Sequence, residues 1–224
     1  MKHQQVPIDN INKNIKNIKN KNPNMDNKNY IVVFDMDETL GHFEELSIFW
    51  SAIKSYSISK NHKTLKIEEL YRLIDLFPKF LRPNILKILE YLKNKKQKGI
   101  CDKVMIYTNN QSKSWPELIR SYFDYKMNYP LFDQTIRAFK LHGKLIEVCR
   151  TSHDKSVRDL INCTKLPPNT QICFIDDLYH PEMEHPNVVY LHIKAYTYNI
   201  PYDKMIAVYY DKNKDKIGDK EDFV

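Results

Sequence analysis

Apolar residues fall into two spacings along this chain. Tyr30–Phe34 is an unbroken run rich in β-branched and aromatic residues, and residues 103–107, 171–175 and 188–193 repeat the pattern. Short apolar runs with polar boundaries predict strands buried on both faces. Between them the spacing turns helical. Ile85, Ile88, Leu89 and Leu92 follow Arg82-Pro83 and precede Gly99, a start and a stop for a helix. Leu46, Phe49, Trp50 and Ile53 make a second stripe, and Ile67, Leu70, Tyr71 and Ile74 a third. Val157, Leu160 and Ile161 make a fourth, with Ser152 or Asp154 placed to cap it. Strands alternating with helices predict an α/β domain built on a parallel sheet.

The predicted strands stop at reactive groups. The first runs into Asp35-Met36-Asp37-Glu38-Thr39-Leu40, the second into Thr108-Asn109-Asn110, and the third into Asp176-Asp177. Ligands of open α/β sheets bind outside the carboxyl ends of the strands. Two carboxylates one residue apart repel each other unless a cation sits between them or one keeps a proton. Lys155 stands just before a predicted helix start and offers a positive charge.

Taken in order, these four groups resemble the motifs of the haloacid dehalogenase (HAD) superfamily, over roughly residues 29–200. The resemblance implies a HAD-like (Rossmann-type) parallel sheet flanked by helices, with small insertions and no large cap. It also implies a Mg²⁺-dependent phosphatase acting through an aspartyl-phosphate. Asp35 would attack phosphorus, and Asp37 would protonate the leaving oxygen and then deprotonate water. Thr108 would donate to a phosphoryl oxygen, with Asn109 as a further donor, and Lys155 would balance the negative charge. Asp35, the Asp37 carbonyl and the Asp176-Asp177 pair would hold Mg²⁺ through oxygen. The resemblance favours Asp177 as the direct ligand and Asp176 as its support. Lys144, in His142-Gly143-Lys144, is the rival to Lys155. His42, His153, His180 and His185 form no zinc-type spacing.

The stretch between Leu40 and Arg82 predicts two helices that either form a small cap or pack on the sheet. Residues 111–150 hold a hairpin pattern around residues 138–148. Asp35 to His42 also resembles the start of the phosphatases that act on the RNA polymerase II C-terminal domain and of their NLI-interacting-factor relatives. Two departures stand against that branch: Thr108-Asn109-Asn110 replaces its Thr-Ala-Ser, and Asp176-Asp177 its Asp-Asn. Phosphoprotein, a small metabolite or nucleotide, and a polynucleotide end are the substrate classes left open. A catalytically inactive phospho-binding module is the alternative of another kind.

With 224 residues, 42% of them hydrophobic, the chain can bury one substantial core. Residues 1–28 are low-complexity Asn and Lys, read as a disordered tail; residues 29–210 form the domain, and residues 211–224 a charged, frayed tail. The first tail holds six Lys and two Asp, so +4 of the net +7 belongs to it. Nucleic-acid binding by the domain is therefore only weakly favoured. No apolar run approaches the roughly twenty residues of a membrane span, and no secretion signal is visible. Cys101, Cys149, Cys163 and Cys173 show no paired spacing, which predicts reduced thiols in an intracellular, reducing compartment.

Overall fold

The computed structural model describes residues 30–60 and 65–217. The tail at residues 1–28 lies outside them. In chain order the elements are β1 (Tyr30–Phe34), α1 (Glu44–Ser59), α2 (Ile67–Leu76), a 3₁₀ turn (Pro78–Phe80), α3 (Ile85–Gln97), β2 (Cys101–Tyr107), α4 (Trp115–Met127) and β3 (Phe132–Ile136). There follow β4 (Lys140–Leu141), β5 (Lys144–Leu145), α5 (Val157–Thr164), β6 (Gln171–Asp176), a second 3₁₀ turn (Pro181–Met183), β7 (Val188–His192) and α6 (Tyr202–Ile217).

Five strands form one parallel sheet in the order β3-β2-β1-β6-β7. The chain winds outward from β1 in one direction and then in the other, so the order reverses between β1 and β6. Asp35 and Asp176 end those two strands. They therefore flank the crevice where ligands of doubly wound sheets bind.

Alternation along the strands splits the core into two layers. Val32, Phe34, Val104 and Ile106 pack with residues of α1 to α4 and α6. Ile31, Val33, Met105, Tyr107 and Phe174 face the other way, against Leu160 of α5. The two helices after Leu40 pack on the sheet: Leu46, Phe49, Trp50, Ile53, Leu70, Leu73 and Ile74 are buried in the same cluster as Val32 and Phe34. No large cap is present among the described residues. The predicted hairpin is β4–β5, paired Lys140 to Leu145 and Leu141 to Lys144. Its turn residues His142 and Gly143 both have positive φ, at 48° and 78°, the conformation a two-residue hairpin turn needs.

Three expectations need correction. The charged stretch from residue 211 is not frayed up to Ile217. It extends α6 across a kink at Asn213, whose φ of −130° is non-helical; Met205 and Tyr209 are buried ahead of the kink, and Tyr56 Oη donates to the Ile217 carbonyl at 3.0 Å beyond it. Second, Ser156 caps α5, accepting from the Asp159 amide at 3.1 Å, where Ser152 or Asp154 was expected. Third, Cys149 and Cys163 form a disulfide with Cα atoms 4.9 Å apart. The chain doubles back between them, and Asn162 Nδ2 donates to the Cys149 carbonyl at 2.7 Å, closing a distance that linear spacing hides. Cys101 and Cys173 are free thiols, pushed up to about 11 and about 12 by burial. Among the described residues no helix is long and apolar enough to cross a membrane.

Candidate active site at the switch between β1 and β6

The loop after β1 is wound tightly. Asp35 N donates to the Ile175 carbonyl at 2.8 Å and ties the end of β1 to β6. Glu38 then takes a left-handed φ of 55°, and its amide donates to the Gly41 carbonyl at 2.7 Å. Gly41 must lack a side chain, because a Cβ there would stand 2.4 Å from the Phe80 carbonyl oxygen. Arg82 holds the loop from outside. Its guanidinium donates to the Thr39 carbonyl at 2.6 Å, to the Glu38 carbonyl, and to the Lys194 carbonyl at 2.8 Å. The wound loop leaves Asp35 and Asp37 facing the crevice.

Lys155 is 2% exposed and lies at the centre of the site. Its Nζ donates to Asp35 Oδ1 at 2.5 Å and to Asp176 Oδ2 at 2.7 Å. Asp176 is fully buried, and its Oδ1 accepts from the Leu178 amide at 2.8 Å; His180 Nε2 stands 3.4 Å from its Oδ2. Asp177 is less buried. Thr39 Oγ1 donates to Asp177 Oδ1 at 3.0 Å and accepts from the Asp177 amide at 3.2 Å. Lys144 sits on the exposed hairpin, away from this cluster.

From β2, Thr108 is 1% exposed and its amide donates to the Ile136 carbonyl at 3.0 Å. Thr108 Oγ1 accepts from the Asn110 amide, which leaves the hydroxyl proton available to a ligand. Asn110 Nδ2 donates to Asp37 Oδ2 at 2.8 Å. Asn109, expected as a donor beside Thr108, is exposed, and the amide that reaches Asp37 is that of Asn110.

Arg150 is a functional neighbour that the sequence reading missed. It is 3% exposed, and its guanidinium donates to the carbonyls of Arg137 at 2.9 Å, His153 at 2.9 Å, Thr108 at 3.3 Å and Asp154 at 3.4 Å. It thereby ties the ends of β2 and β3 to the turn that presents Lys155. Its only local sequence signal is a lone Arg among polar residues. Asp159, fully buried, holds the same turn through the Thr151 amide at 2.8 Å and the Thr151 hydroxyl at 3.0 Å.

Burial sets the electrostatics. Desolvation pushes Asp35 up to about 7, against the Lys155 charge that pulls it down. Asp37 is also raised by burial, opposed by the Asn110 hydrogen bond. Burial acts on Asp176 in the same sense, but His180, Lys155 and the Leu178 amide outweigh it and hold the group below the usual carboxylate range. One carboxylate of the group is thus set up to keep a proton while another stays ionised.

Asp35, Asp176 and Asp177 each offer a carboxylate oxygen, and these oxygens lie within 4.8 Å of one another. Three acidic groups face one lysine, an excess of negative charge made of hard oxygen donors. That donor set fits Mg²⁺ or Mn²⁺. The Asp37 carboxylate is turned instead toward Asn110. Compared with known proteins, the chain matches no protein-family model and no curated protein.

Proposed function

We propose that this chain is a Mg²⁺-dependent phosphomonoesterase that works through an aspartyl-phosphate. One observation carries the reading: Lys155 joins Asp35 to Asp176 beside Asp177, in the crevice where the strand order reverses. The motif resemblance to the HAD superfamily supports the same chemistry.

Asp35 has one oxygen engaged by Lys155, which leaves Oδ2 to attack phosphorus. The P–O bond to Asp35 forms as the bond to the leaving alcohol breaks, and Asp37 gives that alcohol its proton. A raised Asp37 holds the proton needed for this step, and Asn110 fixes the carboxyl that delivers it. Asp37 then takes a proton from water. The hydroxide displaces Asp35 from phosphorus, releasing inorganic phosphate and restoring both carboxyls. Thr108 donates its free hydroxyl proton to a phosphoryl oxygen, and Lys155 offsets the charge gathered around Asp35. Asp35, Asp176 and Asp177, with the Asp37 carbonyl, would hold the cation. When bound it supplies positive charge between a carboxylate nucleophile and a phosphate dianion.

The absence of a large cap among the described residues leaves the crevice reachable by a phosphoprotein as well as by a small ester. Both are carried as substrate classes, with nucleotides and polynucleotide ends. An inactive phospho-binding module is disfavoured, because Asp35, Asp37, Thr108 and Lys155 are all present and poised. Turnover of an aryl phosphate with Mg²⁺, and its loss in chelator, tests the reading. Binding of phosphate esters without turnover in either condition would favour the module.

A further inference from the structure

A second feature begins one residue beyond Asp177. Leu178 and Tyr179 are 61% and 52% exposed, on the turn that follows β6. Tyr179 belongs to an ordered set of rings. Tyr179 lies nearly parallel to Tyr190, with centroids 6.1 Å apart and 8° between planes. His192 stands 6.1 Å from Tyr179 and 6.3 Å from Tyr190.

The rings are held by their polar edges. Tyr179 Oη donates to Glu184 Oε1 at 2.7 Å, and Tyr190 Oη donates to the Leu178 carbonyl at 2.5 Å while accepting from the His180 amide at 3.0 Å. His192 Nε2 stands 2.9 Å from the Asp177 carbonyl oxygen. An anchored edge fixes the Tyr179 ring in place and lowers the cost of ordering it on binding.

This set is continuous with the carboxylate cluster. His192 is the register partner of Asp176 across β6 and β7. Lys155 Nζ lies 5.9 Å from the Phe174 ring centre, Phe174 lies 5.0 Å from Tyr190, and Tyr190 stacks on Tyr179. Tyr179 is thus two residues along the chain from Asp177, and its ring is joined to Lys155 through the rings of Phe174 and Tyr190.

We propose that Tyr179, with Tyr190 and His192 behind it, is the stacking platform for the base of a nucleoside phosphate ester, a substrate class that rests on the phosphatase reading above. A flat base matches an exposed, near-parallel ring stack, since every base has a π-face and base–aromatic stacking needs no pocket. An aliphatic side chain of a phosphopeptide would need an enclosed apolar pocket to gain as much. The platform sits on the rim, so it selects the leaving nucleoside and leaves the chemistry at Asp35 unchanged.

The test uses the full chain carrying Asp35→Asn, so that ligands are not consumed, in Mg²⁺ buffer. Adenosine 5′-monophosphate, ribose 5-phosphate and a phosphoserine peptide with a neighbouring Phe are titrated by calorimetry. The base should tighten binding about tenfold or more over ribose 5-phosphate, a gain within the range that one stacked base contributes. Tyr179→Ala, added to the same chain, should erase that gain and leave ribose 5-phosphate unchanged. Equal affinity for the two esters, a gain that survives Tyr179→Ala, or a gain confined to the peptide would each overturn the proposal while leaving the phosphatase reading intact. If no phosphate ester binds or is hydrolysed by the wild-type chain, the phosphatase reading falls. Adenosine alone then decides the platform, through NMR shifts at the Tyr179 ring that should be present in the parent and absent in Tyr179→Ala.

Discussion

Lys155 lies 120 positions from Asp35 in the chain, yet its Nζ sits 2.5 Å from Asp35 Oδ1. A buried pair of this kind is costly to break from one side, because the surviving charge has no solvent to turn to. The same ammonium reaches Asp176, so one side chain holds two strand ends together.

Lys155→Met should therefore destabilise the cation-free fold by about 3–5 kcal/mol, the usual cost of orphaning a buried charge. Added Mg²⁺ should recover part of the loss, since it replaces positive charge among the same carboxylates. Chemical denaturation with and without Mg²⁺ reads both effects. An unchanged midpoint would mean that the pair contributes little to the fold.

The raised Asp35 gives a signed pH effect. An unfolded chain releases this proton at about 3.9, the folded one at about 7. The folded state binds the proton more tightly, so this group's contribution to stability is full below the unfolded value and is lost as pH rises through about 7. Mg²⁺ must displace that proton. The Mg²⁺-induced rise in melting temperature should then be larger near pH 8 than near pH 6. Equal rises at the two pH values would contradict the assignment of the proton to the cation's own ligand.

Asp37 and Asn110 can be separated from Asp35 by leaving group. Asp37→Asn keeps the backbone carbonyl and the nucleophile but removes proton delivery, worth about 10²–10⁴-fold. Its loss of turnover should shrink for nitrophenyl phosphate, whose leaving group needs no proton, relative to an alkyl phosphate. Asn110→Ala should show the same leaving-group pattern in weaker form. Equal losses on both esters would remove Asp37 from acid–base work.

Arg150 should behave as a brace. Arg150→Met strips the guanidinium from four carbonyl oxygens and should cost at least about 2 kcal/mol of stability. At a temperature where the variant is fully folded, turnover should still fall by about tenfold or more, because Lys155 and Thr108 lose their common support. Millimolar guanidinium, small enough for the vacated space, should restore part of the activity. Wild-type turnover in a folded Arg150→Met chain would show that the turn is positioned without it.

Much of this site was legible because strand patterns and chemistry coincide. Three apolar runs stopped at reactive groups, so Asp35, Thr108 and Asp176 could be located from the ends of those runs and the motif order. Lys155 followed from the helix spacing of Val157, Leu160 and Ile161. What stayed hidden depends on how loops turn. Whether Asn109 or Asn110 faces Asp37 is set by backbone rotation after β2, and linear order carries no trace of it. Arg150 acts through carbonyl oxygens, which have no residue signature. Cys149 and Cys163 meet only because the turn that presents Lys155 folds back on α5. Charge in the segment after Tyr210 suggested fraying, but Met205 and Tyr209 anchor α6 ahead of the Asn213 kink and the Tyr56 hydroxyl holds Ile217 beyond it.

The central claim is that Asp35 becomes phosphorylated. The most direct measurement is acid quenching of the wild-type chain during turnover of a phosphate monoester, followed by mass spectrometry of the peptide that contains Asp35. A phosphoryl adduct on Asp35, absent in Asp35→Asn and accompanied there by a fall in turnover of at least about 10³-fold, is the expected result. Undiminished turnover in Asp35→Asn, or an adduct on another residue, would contradict the account.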